Sequence, residues 1–442
     1  MLADRINRSP FGYLSLAAAL LASGLTSGCA SGDIGNSQSP KTAPEPKTFT
    51  KVGELSVAAN DESEAAEILA ASTDEQTLLF TDSPAGKLGF VDISDASAPT
   101  AEDVLALDGE PTSVAVQGNY ALVAVNTSES FVEPGGHLAV VDINARQIDA
   151  RCDVGGQPDS VAVSPDGAYL AIAIENERDE DLNDGVLPQL PAGYLAIFDL
   201  DEGGVPTNCD NVRVVDLTGL AEVGGDDPEP EYVSINEDNL VAVTLQENNH
   251  IVIVDLATGD VTSHFSTGSV DLVNVDLTDD DQVSLTESAS DVPREPDAVA
   301  WLDNDHLVTA NEGDMDGGSR SVTVFDKSGG IIWDSGSETE KLAAEAGVYP
   351  DGRSPKKGTE PETVAFADYD GSGMMFVALE RANSILVYQV TDGRPTFHQL
   401  LPTGVGPEGV LPLPGRNLVL VANEADPEEG LPSTIDVFAV SN

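Results

Sequence analysis

From about residue 65 onward, short apolar runs rich in Val, Ile, Leu and Ala recur along the chain, each bounded by Gly, Pro, Asn or Asp. Runs of four to six such residues between turn formers predict β-strands rather than helices. The runs are organised by a repeat. Glu110-Pro111-Thr112-Ser113-Val114-Ala115-Val116 returns as Gln157-Pro158-Asp159-Ser160-Val161-Ala162-Val163 and as Glu229-Pro230-Glu231-Tyr232-Val233-Ser234-Ile235. It returns again from Glu295 (EPDAVAW) and from Glu360 (EPETVAF), with degenerate copies at Glu64 (EAAEILAA) and Gly406 (GPEGVLPL). After each copy come a turn, a second apolar run such as Leu170-Ala171-Ile172-Ala173, and a third run closing on Asp142, Asp199, Asp255 or Asp326.

Seven units of three or four strands, the shortest 46 residues apart, match the size of propeller blades. The all-β fold class expected is a seven-bladed β-propeller, with a pair of β-sandwiches as the weaker alternative. Longer units require insertions, expected at residues 176–192, 262–293 and 334–359. Within the last, Ser337 to Glu340 form a capping-box pattern and Gly347 a C-terminal stop, predicting one short helix. The segment 47–57 precedes the first repeat as an orphan strand, while the seventh repeat ends after its third. Joining the two would complete the last blade and close the ring without exposed sheet edges.

Ahead of the repeats the pattern changes. Arg5 and Arg8 precede an apolar stretch at residues 14–25, the layout of an export signal and too short to span a bilayer. Leu25-Thr26-Ser27-Gly28-Cys29 resembles a bacterial lipobox, which makes Cys29 the expected lipid-attachment residue. Ala30 after it fits outer-membrane sorting, by resemblance to enterobacterial lipoproteins. The expected organisation is a signal peptide at 1–28, a flexible Ser-, Pro- and Lys-rich tether at 29–46 and the propeller at 47–442. Such a chain would sit in the bacterial cell envelope, its partners being the membrane through the lipid and a periplasmic or extracellular ligand. Cys152 and Cys209 are the remaining cysteines, and the sequence leaves open whether they pair as a disulfide.

Composition narrows the function classes. Lys and Arg total 20 against 77 Asp and Glu, a formal charge of −57. Nucleic acid is excluded as a partner, because no basic surface exists to displace phosphate counterions. A surface this acidic stays soluble where salt screens self-repulsion, pointing to a marine or halophilic source.

Several motifs are more specific than a generic blade. His306-Leu307-Val308-Thr309-Ala310-Asn311-Glu312-Gly313-Asp314 resembles the signature of the choice-of-anchor I family, which the mesenchyme-specific cell-surface glycoprotein-like propellers share. Trp333-Asp334-Ser335-Gly336-Ser337, Gly358-Thr359-Glu360-Pro361-Glu362 and Leu379-Glu380-Arg381 leading to Val387-Tyr388 carry the same resemblance. It implies an exported, surface-associated propeller. Relatives have a longer acidic insertion after the Asn-Glu-Gly-Asp segment, which here shrinks to residues 315–320, and they often carry C-terminal anchors, where this chain would use Cys29. Some members bear alkaline-phosphatase-type names, from which no reaction follows.

Enzyme signatures are sparse: no G-x-S-x-G, H-E-x-x-H or phosphate-cradling P-loop occurs. His137, His250, His264, His306 and His398 are dispersed, without zinc-site spacing. Asp368 to Gly373 reads as a hairpin turn, since Leu379 stands where a calcium loop needs Glu. The best site candidates are glutamates leaving five second strands: Glu175, Glu247, Glu312, Glu380 and Glu424, the expected metal ligands. With the repeat-opening acids Glu110, Glu229, Glu295 and Glu360 they are expected to ring one mouth of the channel. The competing expectation is that these carboxylates only satisfy backbone N–H groups in the turns. Two functions follow. One is a non-catalytic binding module with an acidic, calcium-binding channel mouth. The other is a calcium-dependent phosphoesterase of the alkaline phosphatase or phytase type. The second would use Arg320, Arg353, Lys356 and Arg381, near Arg294 and Lys357, for phosphate.

Overall fold

The computed structural model describes residues 45–57, 65–179, 181–424 and 430–441. The signal segment, Cys29, nearly all of the tether and Glu64 lie outside the described residues. Seven four-stranded antiparallel sheets follow one another in chain order. Blade one runs Leu69–Ala71, Thr77–Asp82, Lys87–Asp92 and Thr100–Ala106. Blade four runs Pro230–Ile235, Leu240–Leu245, His250–Asp255 and Asp260–Ser266. Blade seven is composite: Pro407–Leu413, Leu418–Asn423 and Thr434–Val440 come from the end of the chain, and Phe49–Ser56 pairs antiparallel on their outer edge. First strands touch in blade order, and the seventh touches the first. The protein is therefore a seven-bladed β-propeller closed by its N-terminal strand.

The core follows from the strand pattern. Second and third strands are apolar on both faces, as at Leu122 to Val125, because each blade is covered by a neighbour on either side. Buried side chains form seven clusters among the described residues, one at each seam between blades. The smallest, including Ile251, Trp301 and Phe325, fills the seam between blades four and five. Cys152, on the outer strand Gln147–Asp153 of blade two, is disulfide-bonded to Cys209 in the turn before the outer strand of blade three. A cross-link spanning 57 residues restricts the unfolded chain, worth about 4 kcal/mol in the loop-entropy account.

The insertions lie near their expected places, with one correction. Residues 262–266 belong to the outer strand of blade four, whose alternating exposure made it read as loop. The insertion there is a separate hairpin of Ser269–Val275 and Glu287–Pro293. The predicted helix, α1, spans Glu338–Ala346 and ends on Gly347 in the left-handed conformation. Its capping box does not form: Ser337 makes no side-chain cap, and Glu340 turns inward and is fully buried. Asp370 and Gly371, at φ 58° and 86°, make the two-residue hairpin turn expected there.

Candidate functional site

The repeat carries a backbone irregularity that shapes the site. In blade three Pro158 pairs with Ile174 but Val161 with Ile172, so three steps on the first strand match two on the second. The same bulge recurs between Pro230 and Val233, Pro361 and Val364, and Pro407 and Val410. An inserted residue bends its strand and re-aims the side chains beside it. The proline before it packs against the preceding blade: a Cβ on Gly136 or Gly193 would fall 2.2 Å and 2.5 Å from Cδ of Pro158 and Pro230. Hydroxyls then link the first strands, with Val161 N donating to Ser113 Oγ and Val233 N to Ser160 Oγ.

Beside this bulge in blades three, four, six and seven, and at the equivalent position of the other repeats, one residue per blade reaches the channel. Glu67, Thr112, Asp159, Glu231, Asp297, Glu362 and Glu408, one per blade, line a cavity of about 220 Å³ together with Glu424. Six of the seven are acids. Burial first, and neighbouring carboxylates second, push the carboxyls of Glu231, Asp297, Glu362 and Glu408 well above the ordinary range. Glu67 and Asp159 are pushed up to about 7 for the same leading reason.

The expected ring of second-strand glutamates is divided among smaller groups, some of which include inner-ring acids. Glu175 and Glu247 meet Glu229; Glu312 meets Asp297 and Glu362 on one side and Glu360 and Glu380 on the other; Glu424 meets Glu380 and Glu408. In each group one oxygen per residue lies within 4.8 Å of the others. Burial raises Glu247 to about 7 and Glu380 to about 8. The repeat-opening acids behave individually. Glu110 is exposed at the surface, and Glu295 accepts backbone N–H bonds from Asp314 and Asp316, as the architectural expectation held. Glu295 and Glu360 sit at φ 45° and 52°, and the seventh repeat has Gly406 at this place, at φ 58°, where glycine is unstrained.

The cations expected to bind anions are mostly engaged by the chain. Arg320 is 3% exposed and donates to Glu340 and to the carbonyls of Asp276, Ser354 and Lys356. Arg353 holds Glu360 through Nε and Nη2 at 2.6 and 2.9 Å, and Arg381 binds both Glu360 and Glu380. Lys357 donates to Glu312 at 2.9 Å, and Arg294 to Asp334 at 2.8 Å. Lys356 is exposed and borders a different cavity of about 400 Å³, between the 269–293 hairpin and residues 314–318. Sequence reasoning missed two features, the third-position acids and Arg178. The former were legible in the E-P-[ED] spelling of the repeat; the latter, a lone Arg among acids in an insertion, gave no periodic signal.

The cavity is walled mainly by hard carboxylate oxygens with a few hydroxyls, the donor set of calcium-type cations. The histidines stay outside it: His250 Nε2 meets His264 Nδ1 at 3.1 Å, and His306 binds Asp303.

Comparisons with known proteins agree with the geometry. Among solved structures the chain is similar to hydrazine synthase of Kuenenia stuttgartiensis, with a TM-score of 0.53 at 15% identity over 84% of this chain and 96% of that one. It is also similar to U3-55K, with a TM-score of 0.58 at 8% identity over 89% and 99%, and to the RRP9 WD40 repeats, with 0.60 at 8% over 89% and 100%. At such identities the likeness shows the propeller fold alone. No curated protein matches the chain. Residues 67–317 and 315–393 match the choice-of-anchor I domain, and the chain belongs to that family.

Proposed function

We propose that this chain is a binding module of the cell envelope that captures cations, calcium above all, at the acidic mouth of its channel. Family membership implies a surface-anchored propeller, and a lipid on Cys29 is the anchor we propose. The Cys152–Cys209 disulfide suits an exported, oxidising setting. The observation that carries the cation reading is the inner ring: six of seven repeats place an acid at one equivalent position in one cavity. Carboxylates crowded this way favour a bound cation, which relieves both their repulsion and their desolvation.

The phosphoesterase alternative needs cations free to meet a phosphate, whereas Arg320, Arg353 and Arg381 are bonded to oxygens of the chain. The test is a calcium titration by calorimetry, on protein stripped with chelator and held at high fixed sodium chloride. Glu362→Gln with Glu408→Gln should lower the number of calcium ions bound per chain. An unchanged number would remove the mouth as the site.

A further inference from the structure

A second group of carboxylates lies between blades three and four, made of residues that do not line the cavity of the mouth but neighbour its Asp159 and Glu231. Glu175 follows the second strand of blade three, Glu229 precedes the first strand of blade four, and Glu247 follows its second strand. Each offers an oxygen within 4.8 Å of the other two. All three are buried, at 8%, 0% and 5% exposure. The cation beside them is Arg178, whose Nη1 donates to Glu247 Oε1 at 2.7 Å and stands 3.7 Å from Glu229, while Nη2 binds Asp314.

That arrangement leaves oxygens without partners. Neither Oε1 nor Oε2 of Glu229 accepts a hydrogen bond, and neither does Glu247 Oε2. Asp227, outside the triad and fully buried, keeps Oδ1 unpartnered as well. A buried carboxylate without donors is costly, and two remedies exist, a proton or a cation. A proton on Glu229 would relieve that carboxyl alone, whereas a cation among the three would relieve them together. Three carboxylate oxygens within 4.8 Å of one another suit an ion that coordinates each at about 2.3–2.6 Å. The donors are all carboxylate oxygens, which select a hard divalent ion over zinc.

We infer that Glu175, Glu229 and Glu247 hold one calcium-type divalent cation, a site that does not depend on the mouth reading. The ion would tie three connections together. Arg178 lies in the 176–192 insertion, whose Gln189 N donates to Asp227 Oδ2. Asn248 Nδ2, next to Glu247, donates to the carbonyls of Val223, Gly224 and Asp227. Calcium there would rigidify the insertion against blade four.

The probe is calcium alone, titrated into stripped protein at high fixed sodium chloride. Glu229→Gln should bind one ion fewer per chain than wild type, and calcium should no longer slow protease cleavage within residues 176–192. The mouth variant Glu362→Gln with Glu408→Gln should keep one ion and keep that protection. Unchanged stoichiometry in folded Glu229→Gln would overturn the assignment. So would a mouth variant that binds no calcium, a result independent of whether Glu229→Gln folds.

Discussion

The same repeat produces two different electrostatic environments on neighbouring pairs of blades. At blades five and six, Glu312, Glu360 and Glu380 are met by Lys357, Arg353 and Arg381, and Glu340 by Arg320. At blades three and four, Glu229 and Glu247 share Arg178 beside Glu175, and acceptor oxygens remain unused. The repeat supplies the acids in both places; the insertions decide what answers them. Residues 334–359 bring Arg353, Lys356 and Lys357, whereas residues 176–192 bring Arg178 among Glu177, Asp179, Asp181 and Asp184. The insertions therefore tip the charge balance, while blade turns add Arg320 and Arg381 at blades five and six.

That contrast is most sharply tested where pairing is complete. Arg320→Met should leave Glu340 fully buried without its guanidinium, with only Tyr349 Oη and Thr359 N still donating to it. Breaking one side of a buried pair typically costs about 3–5 kcal/mol, read as a lower urea midpoint at neutral pH. A loss below about 1 kcal/mol would mean the insertion is not held by this pair. Glu360→Ala comes next, at about 2 kcal/mol. Glu360 is 1% exposed, but the side chains of Arg353 and Arg381 are 30% and 43% exposed and can turn to water once it is gone. Equal losses at Arg320 and Glu360 would show that solvent access does not set the ranking.

Blade number, strand order and the closing strand were legible because each rests on period and length. Pro158 and its counterparts mark six of the seven units, and Phe49–Ser56 stands unpaired until it meets Thr434–Val440. The site was legible only in part. Alternation along a regular strand gives no reason to single out Asp159 or Glu231, and the bulge after the proline is what turns them to the channel. The degenerate first repeat also sits one place later than its spelling suggests: Ala66 takes the proline position, and Glu67 the acidic one. Arg320, Arg353 and Arg381 are neighbours in sequence logic as a basic cluster, yet Arg320 is committed to Glu340 and backbone carbonyls while Arg353 and Arg381 converge on Glu360. Burial made that division, and linear spacing does not report burial.

The smallest expected effect again separates the two sides. His250 opens the third strand of blade four, is 3% exposed, and keeps Nδ1 without a partner. Burial first, then the neighbouring His264, lowers its pKa from 6.5 to about 4. Between those values the unfolded chain takes up a proton that the folded protein refuses. Stability from this group is therefore present above about pH 6.5 and lost as pH falls toward 4. The inner-ring acids act in the opposite sense, since their raised pKa values favour the folded state at lower pH. Only the difference between wild type and His250→Gln isolates the histidine. Gln keeps a polar group in place and cannot become charged, so its urea midpoint should fall less between pH 7 and pH 5 than that of wild type. The gap should reach about 1 kcal/mol, discounted for partial solvent access to the ring pair. Parallel midpoints at both pH values would show that the orphaned nitrogen finds a donor or acceptor in solution, and the blade-four side would then be no less satisfied than its counterpart.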